Sequence, residues 1–191
     1  MAADAARKRA TYEDLLALPP NVKGEILDGV LYTQPRPRFR HMRTATILGG
    51  NISSPFDSGW TGPGGWWIVV EPGIELPDSP EVSPDIAGWR RERMLETPED
   101  GPITVVPDWV CEILSPSTRR YDEHTKKWFY ARHGVSWLWL IDPDARLLTA
   151  HRLQNGGWFQ FGSWVDDDRA RIEPFESVEL SLSALWTPKD N

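Results

Sequence analysis

The run Trp109-Val110-Cys111-Glu112-Ile113-Leu114 is apolar on both faces of an extended chain except for one carboxylate. A short apolar run without alternation is the pattern of a central strand covered on both sides. An ionised Glu112 in such a strand is costly unless a metal ion or another cation compensates it. Its surroundings supply candidates. Upstream lies Ser83-Pro84-Asp85-Ile86-Ala87, a second Pro-Asp segment leading into a strand. Downstream, Asp122, Lys126 and Tyr130 fall at i, i+4 and i+8, one stripe of a helix. Two acids from paired strands with a nearby lysine are the usual equipment of a metal-dependent phosphodiesterase.

At 191 residues the chain is expected to fold as one domain, residues 11–191, behind a flexible tail of residues 1–10. The single Cys111 has no partner for an internal disulfide, which suits a reducing interior. Even Trp137-Leu138-Trp139-Leu140-Ile141 is only strand length, so no membrane span is expected. The first twenty residues lack the apolar centre of a signal peptide, and a cytoplasmic location follows as the expectation. A net charge of −7 argues against a broadly basic nucleic-acid surface. It leaves room for local patches, of which Arg36, Arg38, Arg40 and Arg43 form one and Arg119 with Arg120 another; solvated loop and helix faces explain both equally well. Eleven Trp, several flanking strands, read as core or subunit-interface residues rather than base-stacking platforms.

Along the chain, Thr11–Leu16 reads as a capped short helix ended by Pro19-Pro20. Lys23 to Thr33 alternates around Asp28-Gly29, a hairpin signal. Residues 39–52 suit a helix with Met42, Ala45, Thr46 and Gly49 on one side. Strands are expected at 66–70, 75–87 with interruptions, 109–114, 136–141, 147–153 and 158–161, with a turn at Asp166–Asp168 and a short helix at 181–186. A helix from about Arg119 to His133, closed by Gly134, joins Glu112's strand to the next. That is a β-α-β crossover, so a single α/β domain with a mixed sheet is predicted.

Geometry restricts which acid can work with Glu112. Asp108 shares its face, but an extended strand separates their Cα atoms by ~13 Å. Asp85 is the better partner, because opposed residues on paired strands bring Cβ atoms to ~5 Å. Mg²⁺ needs that closeness, since it binds one or two carboxylates together with water and phosphate. Lys126 and Lys127 each make a reasonable i, i+4 pair, with Asp122 and Glu123 respectively, so physics leaves both open. Trp128 and Phe129 are the expected core-facing residues of that helix. Ser115-Pro116-Ser117-Thr118 caps its start and can present N–H groups to a phosphate, although capping alone explains these residues.

The succession KGEILDG, RH, EPGIELPD, SPDIAGW, VPDWVCEILSPSTRRYDEHTKKWFYARHGV and SWLWLIDPDARLL resembles the Uma-type family of restriction-endonuclease-like proteins, from about Tyr12 to Trp186. That family falls in the PD-(D/E)xK nuclease superfamily. The resemblance implies a restriction-endonuclease-like mixed β-sheet flanked by helices, acids that bind Mg²⁺ or Mn²⁺, and a lysine that orients or polarises the attacking water. It assigns Asp85 and Glu112 as metal ligands and Lys126 as the catalytic lysine, with Asp122 and Tyr130 around it. Glu25 is a further catalytic acid and His41 a residue of the next helix near the site; Ser115 joins them as a binding residue. One departure stands out: the superfamily lysine two positions after the second acid is Leu114 here, so the lysine must come from the helix.

Taken alone, His41 reads as a packing or surface residue, while Glu25 fits an exposed hairpin position and a site role equally well. The four His and Cys111 lack zinc-like spacing, and neither a nucleophile elbow nor a phosphate loop is present. The leading expectation is a Mg²⁺- or Mn²⁺-dependent DNA endonuclease acting as a homodimer, with Trp66-Trp67 and Trp158 as apolar surface needing cover. The alternative is a non-catalytic nuclease-fold protein that binds DNA or a protein partner.

Overall fold

The structure, a computed structural model, describes residues 9–188. Most of the expected tail therefore lies outside the described residues. The chain opens with α1 (Tyr12–Leu16), whose Thr11 and Asp14 form a capping box. The hairpin follows as β1 (Val22–Leu27) and β2 (Val30–Pro35), turning at Asp28 and Gly29, both with positive φ as a two-residue hairpin turn of this hand demands.

Next comes α2 (Phe39–Phe56), one turn longer than the sequence suggested, with Pro55 tolerated in its last turn. Its buried side is also rotated from the expected one. Thr44, Ala45, Leu48, Gly49 and Ile52 face inward, while Met42 and Thr46 are exposed. Then follow β3 (Trp66–Val70), β4 (Ile74–Leu76), β5 (Ser79–Val82), β6 (Ile86–Arg90) and β7 (Trp109–Ile113). A helix begins at residue 119, passes through a π-helical segment, Tyr121–Lys126, and continues as α3 (Lys127–Arg132). The chain ends with β8 (Trp137–Asp142), β9 (Leu147–Gln154), β10 (Gly157–Val165), the short pair β11 (Arg169–Ala170) and β12 (Leu180–Ser181), and a 3-10 turn, Leu182–Leu185.

Six strands form the main sheet in the order β10-β9-β8-β7-β6-β3. Only β7 and β8 run parallel in it, the signature of the crossover through α3, so the sheet is mixed as expected. A second sheet, β2-β1-β5-β4, takes up the interrupted segment 74–82 that the sequence suggested as one continuing strand.

The alternation of β7 sorts its side chains between two cores. Trp109, Cys111 and Ile113 enter a cluster with Leu48 and Ile52 of α2, Trp139 and Phe175. Val110 belongs to the opposite cluster with Leu138, Leu140, Phe129 and Tyr130, roofed by Leu27, Ile74 and Val82 of the small sheet. The main sheet is thus packed between α2 with the C-terminal segment and α3 with the small sheet.

Two expectations about tryptophan change. Trp128 points outward at 56% exposure, and Phe129 with Tyr130 fills the core instead. Trp66 is buried against Phe175, Trp67 donates its indole N–H to the Met94 carbonyl, and Trp158 donates to Lys127 O. These side chains stabilise the single chain rather than wait for a partner.

Candidate active site

Glu112 is the fourth residue of β7, and the register of the β6–β7 pair (Ile86 opposite Cys111, Ala87 opposite Val110) continued by one step sets Asp85 opposite Glu112. Asp85 Oδ2 accepts the Ile113 N–H at 2.7 Å and lies 3.1 Å from His41 Nε2 at the start of α2. Burial works against its charge, but the hydrogen bond and charge of His41, with Lys126 and Lys23 nearby, hold the Asp85 carboxyl below its ordinary range. The reciprocal holds for His41: burial opposes ionisation, and Asp85 outweighs it and raises the imidazole. A His41 imidazolium thus fixes an Asp85 carboxylate.

Glu112 is held differently. Its Oε1 receives the Tyr130 hydroxyl at 2.5 Å and lies 2.8 Å from Lys126 Nζ. Lys126 is 2% exposed, 3.2 Å from Glu25 Oε1, and donates to the Ser83 carbonyl at 3.2 Å. Glu25 Oε2 accepts the Ser83 N–H, which ties the first strand of the small sheet to the Asp85 segment. Glu25 is therefore a buried member of the cluster and not an exposed hairpin residue. Burial would drive the Lys126 ammonium to lose its proton, but Glu112 and Glu25 keep it well above its usual value.

Burial lifts Glu112 to about 8 against the pull of Lys126, and Asp122 to about 7. The cause is visible in the inventory. Four acids, Glu25, Asp85, Glu112 and Asp122, crowd around two cations, Lys126 and His41. Lys23, also at the cleft, is paired with Glu71.

These groups form the floor of a cleft of about 530 Å³. One wall carries Arg36, Arg38 and Arg40; Ser115 and Thr118 stand on another. Ser115 bonds Ser117 and Thr118 through its hydroxyl, and its carbonyl, not its side chain, accepts the Thr118 and Arg119 N–H groups. Arg43, by contrast, is spent on the carbonyls of Ala184, Leu185 and Trp186, and Arg119 on Asp142 and Glu123, so neither completes a basic patch. Lys127 reaches His151 Nε2 at 3.1 Å and stays out of the cluster. Asp108 accepts from Arg90 N and Arg93, a structural role.

Every sequence-predicted site residue thus borders the cleft or, for Glu25 and Tyr130, supports its floor. Sequence reasoning missed the Ser83 carbonyl, a backbone acceptor that no side-chain pattern reveals. It also missed Tyr121, whose buried hydroxyl is pushed up by burial beside Glu25.

The donor set suits a hard divalent cation. Among the described residues, no protein hydrogen bond reaches Asp85 Oδ1 or Glu112 Oε2, because their partners all engage the other oxygen. Among the described residues no group of three or more His, Cys, Asp and Glu forms a ready-made cage. Two carboxylates with room for water and phosphate is nevertheless how Mg²⁺ is commonly held, and the surplus of buried acids supplies the charge it would neutralise.

Against known proteins, the chain matches the family described as "putative restriction endonuclease", Uma2, over residues 10–184. It belongs to the Uma2 family. A crystal structure of a putative nuclease from Anabaena variabilis is 24% identical to it, with 92% of this chain and 97% of that one covered and a TM-score of 0.69. That likeness establishes the restriction-endonuclease-like α/β fold. No match was found among curated proteins. Family and fold are those of nucleases, and among the described residues no helix is long and apolar enough to cross a membrane.

Proposed function

We propose that this Uma2 member is a DNA endonuclease dependent on Mg²⁺ or Mn²⁺, with Asp85 and Glu112 as the ligands of the ion. The observation that carries the reading is the placement of these two acids at facing strand positions, each with one oxygen engaged by the protein and the other directed to none. A divalent cation bound there supplies a Lewis acid that neutralises charge on the scissile phosphate and acidifies water.

The chain's own residues do the rest. Tyr130 and Lys126 pin Glu112 Oε1, and His41 with the Ile113 N–H pins Asp85 Oδ2, so both acids are oriented before any ligand arrives. Lys126, held charged by Glu112 and Glu25, provides a fixed positive centre where negative charge grows on the phosphate or the attacking water. Asp122, at about 7, can take a proton near neutral pH. The arginine wall offers phosphate contacts that the net charge of −7 conceals. A homodimer stays within the proposal; exposed Trp60 and Trp128 are the aromatic surface available to it.

The test is cleavage of plasmid and oligonucleotide DNA with Mg²⁺, Mn²⁺ or EDTA, comparing neighbouring lysines. Lys126→Met should lower turnover about 100- to 1000-fold, the scale of losing one transition-state stabilising group, while Mn²⁺ still binds, because losing a neighbouring cation offsets the loss of its hold on Glu112. Lys127→Met should leave turnover within about twofold. Equal losses would refute the assignment, and metal binding without cleavage of any DNA would favour a non-catalytic nucleic-acid-binding role.

A further inference from the structure

The acids that raise the chain's negative charge are absent from one stretch. Between Asp28 and Asp57 there is no acidic residue, while Arg36, Arg38, Arg40 and Arg43 all fall there in a chain of net charge −7. Arg36, Pro37, Arg38 and Arg40 line the mouth of the cleft, with Phe39 between the last two in sequence, and the three arginines are not equivalent. Arg36 bonds the Pro20 carbonyl and Arg40 pairs with Asp144, so both are held in place. The Arg38 side chain is exposed and has no ion-pair or hydrogen-bond partner among the described residues. Beside it Phe39 stands 70% exposed, at the first position of α2, where its ring covers none of the core. An exposed ring flanked by a free and a fixed cation is the combination that binds single strands, with arginine on phosphate and the ring face under a base.

The depth of the floor points the same way. Asp85 is 8% and Glu112 2% exposed, beneath a rim that encloses about 530 Å³. A cleft of that size accommodates a ligand of one or two nucleotides. A single strand can thread such a cleft and bring a phosphate to the floor, whereas a paired duplex is too broad to enter it.

Resting on the nuclease reading above, we infer that the cleft takes an unpaired DNA strand, with Arg38 on a flanking phosphate and Phe39 stacked under a base next to the scissile position. The substrate class is then single-stranded or locally unpaired DNA, and the lip selects for it independently of sequence.

The experiment measures binding apart from cleavage. Fluorescence anisotropy of the full chain with labelled oligothymidylate, and with its duplex, is recorded in Ca²⁺, a hard cation suited to oxygen sites, with the DNA checked intact on a denaturing gel. The single strand should bind at least about tenfold tighter than the duplex. Phe39→Ala should weaken it about 5- to 100-fold and Phe39→Trp should restore it, since stacking needs a ring and not a particular one. Arg38→Ala should lower the slope of log affinity against log salt by about 0.7, one phosphate's worth for a single strand. Equal or tighter duplex binding, no binding of either form, or an unchanged Phe39→Ala would overturn the inference. Strand binding of this pattern without cleavage in Mg²⁺ sinks the nuclease reading alone; duplex cleavage indifferent to Phe39 sinks this one alone.

Discussion

The two faces of β7 carry the same backbone and opposite chemistry. On one, Trp109, Cys111 and Ile113 meet Trp139 and Phe175 at ring separations of 4.8–5.7 Å, edge-on, in a dry core that asks only for volume. On the other, Glu112 lies among Lys126, Tyr130 and the acids of neighbouring elements, a buried polar network whose members depend on one another. The first face makes the strand immovable, and the second uses that rigidity to hold a carboxylate where charge is expensive. Stability and function are therefore separable by substitution at adjacent positions of one strand.

The largest expected separation is between Glu112→Gln and Trp109→Ala. Glu112→Gln removes a ligand and should abolish Mn²⁺ binding by calorimetry and cut turnover by at least about 1000-fold. Its melting temperature without metal should change far less than that of Trp109→Ala, because Glu112 at about 8 is largely protonated near neutral pH, Gln keeps its shape, and Glu25 still faces Lys126. Trp109→Ala should cost about 3–5 kcal/mol of stability by denaturant unfolding, through lost burial and a cavity, with Mn²⁺ affinity retained in the folded fraction. If Glu112→Gln unfolds the chain as Trp109→Ala does, the two faces are not separable.

A smaller effect is expected from Tyr130→Phe, which deletes only the hydroxyl that orients Glu112. Loss of a buried hydrogen bond to a largely protonated Glu112 predicts about 0.5–1.5 kcal/mol of destabilisation. Loss of a group that orients a metal ligand predicts about 10- to 100-fold weaker Mn²⁺ binding. A change in stability without a change in metal affinity would make Tyr130 merely a core residue.

The mildest effect concerns pH. In the protein without metal, Glu112 at about 8 and Asp122 at about 7 lie above their unfolded values. The native state then binds more protons, so their contribution is fully present below about pH 4 and is lost as pH rises through about 7 to 8. His151, lowered to about 4 by burial and Lys127, acts oppositely and favours the native state as pH rises from about 4 to 6.5. Above pH 6.5 the carboxyl effect remains and the raised His41 adds to it in the same direction, so the melting temperature should fall between pH 6.5 and 8 without metal. Mn²⁺ should cancel the fall, because the ion displaces the same protons. A flat profile without metal would mean that Glu112 is already ionised and fully compensated.

Much of this arrangement is legible in the chain. The apolar run with one carboxylate marked β7, and the spacing of Asp122, Lys126 and Tyr130 marked the helix stripe that all three share as buried residues. The π-helical segment was not legible, since Tyr121–Lys126 contains neither Gly nor Pro to announce it. Trp128 lies two positions from buried Lys126 and two from buried Tyr130, on the opposite side of the helix, and so it points to solvent. Glu25 was ambiguous for another reason. Its burial depends on β1 pairing with β5 far along the chain, and no local pattern encodes that contact. Asp85 was placed correctly because a Pro-Asp segment and an apolar neighbour together specify a strand with its acid at the end. The arginine lip carried a signal that composition averages away: a local absence of acids within an acidic protein.

The most direct measurement of the central claim is a crystal soaked in Mn²⁺ and examined by anomalous scattering. One peak between the Asp85 and Glu112 carboxylates, about 2.1 Å from an oxygen of each, with Lys126 Nζ still on Glu112, is the predicted result. A fully occupied ion elsewhere, or no peak there in a soak that saturates binding in solution, would contradict it.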